Sequence, residues 1–233
     1  MNIEVCYTPD LIHQFNLKGK VVVVIDVLRA TSCMVAGLNS GVAKIHPVAS
    51  IEECLELGKQ GYKMAGERGG KKVDACDMGN SPFEYMDPKL KSEKVATTTT
   101  NGTKAIKLSA DADEVIIGAF LNLQAVVDKL NALNKDVVLF CAGWKGRYNL
   151  EDSLFAGAVC EGLIKTANIS DDATLSALYL YRSMAHDLHY FISRSNHAAR
   201  LSNFGIMKDI EYCSRTNEFS GVPYLNTDNE LVI

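Results

Sequence analysis

The fold class follows from the stretch Lys20-Val21-Val22-Val23-Val24-Ile25-Asp26-Val27-Leu28. The run is β-branched, apolar on both faces and too short for a helix of typical length, so it predicts a buried, parallel strand. Stretches of helical length follow several similar runs, and this alternation is typical of a doubly wound α/β sheet. The similar runs lie at 44–48, 63–66, 94–98, 115–118 and 137–141.

Local signals place several helices and the end of the chain. Ser50 with Glu53 predicts a capping box, and Asn122 predicts the cap of the helix that follows it. A long helical region is expected from about Asp171 to Leu201, and segments 210–212 and 222–225 are expected as edge strands. Residues 1–233 are therefore interpreted as one α/β domain with a helical C-terminal elaboration.

Composition and charge exclude several classes of protein. The net charge is −4 for 233 residues, and the pI near 5.8 argues against a general nucleic-acid binder. No apolar run approaches the roughly 20 residues of a membrane helix, and the N-terminus has no secretory signal. Seven cysteines without a C-x-x-C pair are typical of free thiols in a reducing cytoplasm. A homo-oligomer is compatible with the sequence, which does not define the oligomeric state.

Polar groups follow the first and third apolar runs, where ligands bind in parallel sheets. The first run leads into Asp26-Val27-Leu28-Arg29-Ala30-Thr31-Ser32, which combines a carboxylate, a guanidinium and two hydroxyls. The third leads into Gly66-Glu67-Arg68-Gly69-Gly70, where glycines let the backbone approach a ligand closely. The same acid and arginine chemistry thus appears at two predicted strand ends.

Three further clusters add hydroxyls, an amide and carboxylates. Thr97-Thr98-Thr99-Thr100-Asn101-Gly102-Thr103 opens a predicted helix, whose free amides suit phosphate or sulfonate oxygens. In Gly79-Asn80-Ser81-Pro82, Asn80 or Ser81 is a helix cap, and Asn80 is also a candidate to hold a ligand oxygen. Cys141-Ala142-Gly143 and Asn149-Leu150-Glu151-Asp152-Ser153 follow the last strand.

Each cluster alone is explained as well by structural ion pairs and caps, which are commoner than active sites. Their recurrence at successive strand ends is the argument for function. Several carboxylates and guanidiniums in one crevice are costly unless a cation and an anion bind there, and hard oxygen donors favour Mg²⁺. The sequence therefore predicts metal-assisted chemistry on a small anionic molecule.

The same motifs, in order and spacing, resemble those of the 2-phosphosulfolactate phosphatase family. The resemblance extends through Glu151-Asp152 and His197-Ala198-Ala199-Arg200-Leu201, so it covers nearly the whole chain. It implies a three-layer α/β/α fold with a mostly parallel central sheet, and a requirement for Mg²⁺. The implied reaction is hydrolysis of 2-phospho-3-sulfolactate to 3-sulfolactate and phosphate, a step of coenzyme M biosynthesis.

Our hypothesis assigns roles to the residues of these motifs. Mg²⁺ is surrounded, directly or through water, by Asp26, Glu67 and Asp152, and it offsets charge that develops during phosphoryl transfer. The catalytic candidates are Asp26, Arg29, Glu67 and Arg68. The substrate-binding candidates are Asn80, Ser81, Thr99, Thr100, Asn101, Gly102, Thr103 and His197.

Four alternatives stay open from the sequence. The chain could be a broader phosphatase of small phosphorylated hydroxy acids, or a hydrolase that uses Cys141 as nucleophile with a histidine as base. It could also bind an anionic metabolite without catalysis. Within the favoured class, an activated water is preferred over an aspartyl phosphate formed on Asp26, and His197 is a secondary candidate for a general acid.

Overall fold

Eleven strands join into one sheet in the computed structural model, which describes residues 1–169 and 171–233. Across the sheet the order is β5-β4-β6-β3-β11-β10-β7-β2-β8-β1-β9, and most neighbours are parallel. The strands are β1 (Asn2–Cys6), β2 (Val21–Ile25), β3 (Lys44–Pro47), β4 (Lys63–Arg68), β5 (Lys71–Lys72), β6 (Lys94–Thr98), β7 (Glu114–Gly118), β8 (Val137–Cys141), β9 (Asn168–Ile169), β10 (Tyr224–Leu225) and β11 (Leu231–Val232).

Helices cover both faces of this sheet. Short 3-10 helices lie at Pro9–Gln14, Pro88–Leu90, Phe120–Asn122 and Ala185–Asp187. The α-helices are α1 (Ala30–Asn39), α2 (Ile51–Lys59), α3 (Pro82–Tyr85), α4 (Gly102–Leu108), α5 (Leu123–Leu133), α6 (Leu150–Gly162), α7 (Asp172–Met184), α8 (Leu188–Ser193), α9 (Asn196–Ser202) and α10 (Met207–Cys213).

Strand β2 lies between β7 and β8 and is completely buried, which confirms the prediction from its sequence. Its side chains alternate: Val21, Val23 and Ile25 pack towards α5 and α6, whereas Val22 and Val24 pack towards α1 and α4. Burial of each such side chain contributes roughly 1.5–3 kcal/mol. The alternation places one helical layer on each face, so the fold is the expected three-layer α/β/α arrangement.

The other five predicted strands are also confirmed, as β3, β4, β6, β7 and β8. Ser50 caps α2, where its hydroxyl accepts a hydrogen bond from the Glu53 amide at 3.1 Å. Asn122 stands at the cap position of α5, but its side-chain oxygen accepts from the Ala119 amide at 3.0 Å. The Asn122 side chain thus stabilises the turn before α5 and not α5 itself.

The end of the chain corrects the prediction of edge strands. Segment 210–212 lies in α10, whose Ile210 and Cys213 share one buried helical face at a spacing of three residues. Strand β10 confirms part of segment 222–225, but it lies inside the sheet, antiparallel to β7 and β11. With β11, it fills the gap between the β7 and β3 halves of the sheet.

Two further features were not predicted correctly. The N-terminal strand β1, where no element was predicted, pairs with β8 and β9. The helical region after Asp171 is interrupted, because α7 ends at Met184 and shorter helices follow. In the described part of the chain, every helix is too short or too polar to cross a membrane.

Candidate active site

A pocket of about 190 Å³ opens at the carboxyl ends of the parallel strands. This volume is below the roughly 300–1,000 Å³ of pockets for drug-sized ligands, so it suits a small molecule. The loops after β2, β4, β6 and β8 form its walls, together with α9 and the turn after it. Its lining residues are Asp26, Leu28, Arg29, Glu67, Gly69, Gly70, Asn80, Thr100, Asn101, Trp144, His197, Arg200, Leu201, Asn203 and Phe204.

Asp26 follows β2 directly and is held by the start of α1. The Asp26 amide donates to the Thr31 hydroxyl at 3.1 Å, and the Thr31 amide donates to the Asp26 carbonyl at 2.9 Å. Burial raises the pKa of the Asp26 carboxyl to about 7, and the nearby Glu67 adds to the rise, while His197 opposes it. The pocket therefore contains a buried carboxylate whose charge is poorly compensated by the protein.

Gly102 lies against this carboxylate. A Cβ atom there would lie 2.9 Å from Asp26 Oδ2 and 2.6 Å from the Ala30 Cβ, so only glycine fits between α4 and α1. The hydroxyls of Thr99 and Thr103 bond within their own loop: Thr99 Oγ1 accepts from the Thr103 amide at 3.2 Å, and the Thr103 hydroxyl donates to the Thr99 carbonyl at 3.1 Å. The loop after β6 is thus held in shape by Gly102, Thr99 and Thr103, which lie outside the pocket lining.

Glu67 connects two walls of the pocket. Its Oε1 accepts from the Gly70 amide at 2.5 Å, and its Oε2 accepts from the Thr100 amide at 3.2 Å. Its neighbour Arg68 turns away from the pocket lining, since its guanidinium donates to the Thr98 hydroxyl at 2.8 Å and to the Glu67 carbonyl at 2.7 Å. The structure therefore brings Glu67, Thr100 and Asn101 to the pocket, while Arg68 supports the end of β4.

Arg29 lines the pocket but its charge is already paired. Its guanidinium forms a buried ion pair with Asp209 of α10, which the sequence analysis missed. The Ser81 hydroxyl donates to the same carboxylate at 3.0 Å, so Ser81 belongs to this network and lies outside the pocket lining. Asn80 faces the pocket, and its buried Oδ1 has no hydrogen-bond partner in the described structure.

His197 of α9 reaches the pocket next to a second missed acid. Its Nδ1 lies 2.6 Å from Glu151 Oε1, and Glu151 is completely buried at the start of α6. The other oxygen of this carboxylate, Oε2, has no hydrogen-bond partner among the described residues. The contact through Nδ1 leaves the Nε2 of His197 as the ring nitrogen available to a ligand.

Asp152 is turned the other way from its neighbour Glu151. Its two oxygens accept from the Val27 amide at 2.9 Å and from the Gly143 amide at 3.1 Å. Complete burial raises the pKa of Asp152 well above its usual value, and Glu151 and Asp26 add to the rise. Asp152 thus ties the loops after β2 and β8 together and does not line the pocket.

Cys141 is completely buried at the end of β8 and packs in the core with Leu139 and Phe155. Burial raises the pKa of its thiol well above the usual value of 9.0, and the nearby Asp152 adds to the rise. Because a protonated, inaccessible thiol is a poor nucleophile, the structure gives Cys141 a packing role.

Two aromatic and cationic residues of the lining were not assigned from the sequence. Arg200 of α9 stacks on Trp144, with its guanidinium carbon 3.6 Å from the ring centroid. Both residues stood within or beside the quoted motifs, but nothing in a linear sequence shows that α9 crosses the loop after β8. Glu151 and Asp152 are neighbours on α6, and adjacent helical residues point about 100° apart. Only the packing of the helix determines which of the two carboxylates faces His197, so the sequence did not distinguish them.

The donors at the pocket suit a hard cation in chemistry, although they do not form a ready-made cage. Within residues 1–169 and 171–233, no three side chains of histidine, cysteine, aspartate or glutamate are arranged to hold a metal ion. The carboxylates of Asp26 and Glu67 and the unpartnered amide oxygen of Asn80 nevertheless line one pocket. Mg²⁺ prefers such oxygens and usually keeps several waters, so this donor set fits Mg²⁺.

The fold and the pocket define an α/β enzyme with an acidic and cationic site at the carboxyl edge of its sheet. The sequence profile of the family described as 2-phosphosulpholactate phosphatase matches residues 6–228. The chain therefore belongs to the 2-phosphosulfolactate phosphatase family, a family of phosphoric monoester hydrolases.

Curated relatives agree with this assignment over most of their length. A protein of Caldanaerobacter subterraneus subsp. tengcongensis is 38% identical over 230 residues, which is 97% of this chain and 95% of that protein. One of Thermotoga petrophila is 42% identical over 203 residues, covering 87% and 88%, and one of Clostridium tetani is 37% identical over 227 residues, covering 96% and 97%. Each is named "Probable 2-phosphosulfolactate phosphatase".

Proposed function

We propose that this chain hydrolyses 2-phospho-3-sulfolactate to 3-sulfolactate and phosphate. The observation that carries the proposal is the small pocket at the strand ends, which combines buried carboxylates with a histidine and two arginines. The substrate is a phosphate ester with two further acidic groups. Carboxylates are needed to hold a metal cation, and arginines and a histidine are needed to bind the anionic groups. The family and the names of the relatives supply the identity of the substrate.

We propose that Mg²⁺ is required and that Asp26 and Glu67 hold it, with the Asn80 amide oxygen beside them. When bound, the ion would neutralise charge on the phosphoryl oxygens during transfer. We assign Asp152, predicted as a third ligand, to positioning, because it lies outside the pocket lining and holds the Val27 and Gly143 amides. It fixes Val27, next to Asp26, and Gly143, next to Trp144.

The proton that the leaving group needs is assigned to His197. Water attacks phosphorus, the bond from phosphorus to the substrate's C2 oxygen breaks, and His197 Nε2 gives its proton to that oxygen. Both protons of the attacking water leave with the phosphate as H₂PO₄⁻, and His197 regains its proton from solvent. Glu151 is a positioning residue: its contact with Nδ1 at 2.6 Å fixes the ring so that Nε2 serves the pocket. An aspartyl phosphate on Asp26 is the alternative to attack by water.

The reaction corresponds to a step of coenzyme M biosynthesis, and we place the chain in the cytoplasm. All seven cysteines are free and buried, as expected of a protein that folds in a reducing compartment.

Release of inorganic phosphate tests these assignments. The substrates are 2-phospho-3-sulfolactate, 2-phospholactate and phosphoglycolate, each with EDTA and with added Mg²⁺. We expect phosphosulfolactate to react fastest, EDTA to stop the reaction and Mg²⁺ to restore it. Equal rates on all three would make the protein a broad phosphatase, and full activity in EDTA would contradict the metal requirement.

Two controls separate the remaining mechanisms. Iodoacetamide should leave the rate unchanged because Cys141 is buried, whereas inactivation of a metal-independent reaction would favour the thiol mechanism. Rapid acid quench followed by intact mass measurement should show unmodified protein during turnover. A phosphorylated chain that is lost on Asp26→Asn would establish the aspartyl phosphate instead.

A further inference from the structure

Arg200 occupies an unusual position among the cations of the pocket. Arg29 is neutralised by Asp209, whereas Arg200 forms no ion pair within the described part of the chain. Its guanidinium instead lies on the face of Trp144 at 3.6 Å. Burial lowers the pKa of Arg200, and Glu151 opposes that shift. The pocket thus contains a partly desolvated guanidinium whose charge is not matched by a carboxylate.

Trp144 is a well-fixed platform for this guanidinium. Its amide donates to the Arg147 carbonyl at 2.9 Å, and the Arg147 amide donates back to the Trp144 carbonyl at 3.0 Å. The loop is also tied to the loop after β6, because the Lys145 amide donates to Asn101 Oδ1 at 3.3 Å. A guanidinium that stacks on an aromatic face keeps its planar fork of N–H donors free for an anion.

The position of Arg200 on α9 relates it to the leaving group. Arg200 follows His197 by three residues, so the two side chains share one helical face, about 5–6 Å apart at their Cβ atoms. If His197 stands at the C2 oxygen of the substrate, then the groups attached to C2 lie within reach of Arg200. The sulfonate reaches one bond further from phosphorus than the carboxylate does, and Arg200 is more exposed than the buried Asp26.

We propose that Arg200, stacked on Trp144, is the sulfonate-binding residue of this pocket and decides between phosphosulfolactate and phosphate esters that lack the sulfonate. This inference rests on the proposed function for the identity of the substrate. The binding site itself, an anion held by a guanidinium on an indole, does not depend on turnover.

Trp144 is the only tryptophan of the chain, so its fluorescence reports binding directly. Wild-type protein is titrated with the product 3-sulfolactate and, separately, with lactate, which has the carboxylate but no sulfonate. We expect a saturable change in emission with 3-sulfolactate at concentrations roughly 10- to 100-fold lower than with lactate. In Arg200→Gln the two affinities should become similar.

The kinetic test uses 2-phospho-3-sulfolactate and 2-phospholactate with Mg²⁺. Arg200→Gln should lower kcat/KM for phosphosulfolactate by roughly 10- to 100-fold and change it by less than about 3-fold for phospholactate. Arg200→Lys should recover only part of the loss, since it keeps the charge without the planar fork. The matched control is Arg194→Gln, directly after α8, because Arg194 also stacks on a ring, that of Tyr190 at 5.2 Å, but lies outside the pocket.

The two proposals fail in different ways. If wild-type protein releases no phosphate yet binds 3-sulfolactate through Arg200, then the reaction is wrong and the sulfonate site stands. If wild-type protein hydrolyses phosphosulfolactate while Arg200→Gln loses the same factor on both substrates, then Arg200 serves a group that both share, and the sulfonate assignment is overturned. Unchanged binding and turnover in Arg200→Gln would also overturn it.

Discussion

Two clusters of charged residues lie at opposite edges of the sheet and are built differently. The amino-edge cluster consists of Lys44, Tyr62 and Glu230, near the starts of β3 and β4. Glu230 accepts from the Tyr62 hydroxyl at 2.7 Å and from Lys44 at 2.8 Å. Burial raises the pKa of Glu230, but these hydrogen bonds lower it more, so the pKa lies below its usual value of 4.5.

The pocket cluster consists of Asp26, Glu67, Glu151 and His197, at the carboxyl edge. Of its three carboxylates, only Glu151 contacts the imidazole. The Glu151 Oε2 has no partner in the described structure, and the pKa of Asp26 is raised to about 7. The amino-edge cluster is internally satisfied and holds β11 against β3. The pocket cluster instead leaves a carboxylate oxygen without a partner and the buried Asp26 poorly compensated, which is typical of sites that bind a ligand. The two clusters therefore differ in whether the protein itself satisfies their charges.

The largest effect should come from Asp26→Asn, which removes the carboxylate that the proposed chemistry needs most. We expect kcat to fall by roughly 10²- to 10³-fold or more in the phosphate-release assay with saturating Mg²⁺. A rate within a few-fold of wild type would show that the pocket cluster is not the reaction centre.

The same substitution should stabilise the protein when metal is removed. Because the folded pKa of about 7 lies above the usual 3.8, folding favours the protonated acid, and stability falls as pH rises between those values. In EDTA at pH 8, Asp26→Asn should therefore raise the free energy of unfolding by about 2–4 kcal/mol. Urea denaturation checks this, and the gain should shrink towards pH 4.

Gly102→Ala should disturb the pocket cluster by contact alone. The added methyl would lie 2.9 Å from Asp26 Oδ2, so the carboxylate or α4 must move. We expect a loss of kcat of about 100-fold and of about 1–3 kcal/mol in stability. Gly19→Ala is unsuitable as a control, because alanine at a φ of +81° would itself be strained. Ala105→Gly, also in α4, is used instead as a control for the effect on stability alone.

Glu151→Gln tests whether this acid acts through His197. The amide keeps the size of the side chain but removes the charge that orients the imidazole, so kcat should fall by about 10- to 100-fold. KM should change little, since Glu151 is buried and outside the pocket lining. Steady-state kinetics separate the two constants, and a change confined to KM would contradict a positioning role.

The smallest effect belongs to the amino-edge cluster. Glu230→Gln should cost about 1 kcal/mol of stability at pH 7 and leave turnover unchanged. Because the pKa of Glu230 is lowered on folding, its contribution is present above pH 4.5 and disappears as the pH falls further. Thermal denaturation of both proteins at pH 7 and pH 4 measures this difference.

The sequence predicted the features that depend on local patterns. The short runs located β2, β3, β4, β6, β7 and β8. The signal is clearest in β2, β7 and β8, because buried parallel strands are apolar on both faces. The residues after them include Asp26, Glu67 and Thr100, which do meet in the pocket. Strand β1 was missed because Asn2–Cys6 is a short run of alternating polar and apolar residues and not a continuous apolar run.

The remaining site residues depend on contacts between distant segments. Arg29 and Asp209 are 180 residues apart, so their ion pair has no local signal. Asp152 and Glu151 are neighbours whose directions are set by packing of α6 against the strand loops and α9. Thr99 and Thr103 were assigned to the ligand because hydroxyls suit anions, but in the fold these hydroxyls satisfy the backbone of their own loop.

The role of the pocket cluster in catalysis is tested by phosphate release from 2-phospho-3-sulfolactate, measured side by side for wild type, Asp26→Asn and Glu230→Gln. Wild type and Glu230→Gln should release phosphate at similar rates, while Asp26→Asn should be slower by roughly 10²-fold or more. Similar rates for the two variants, or no release by wild type, would contradict that role.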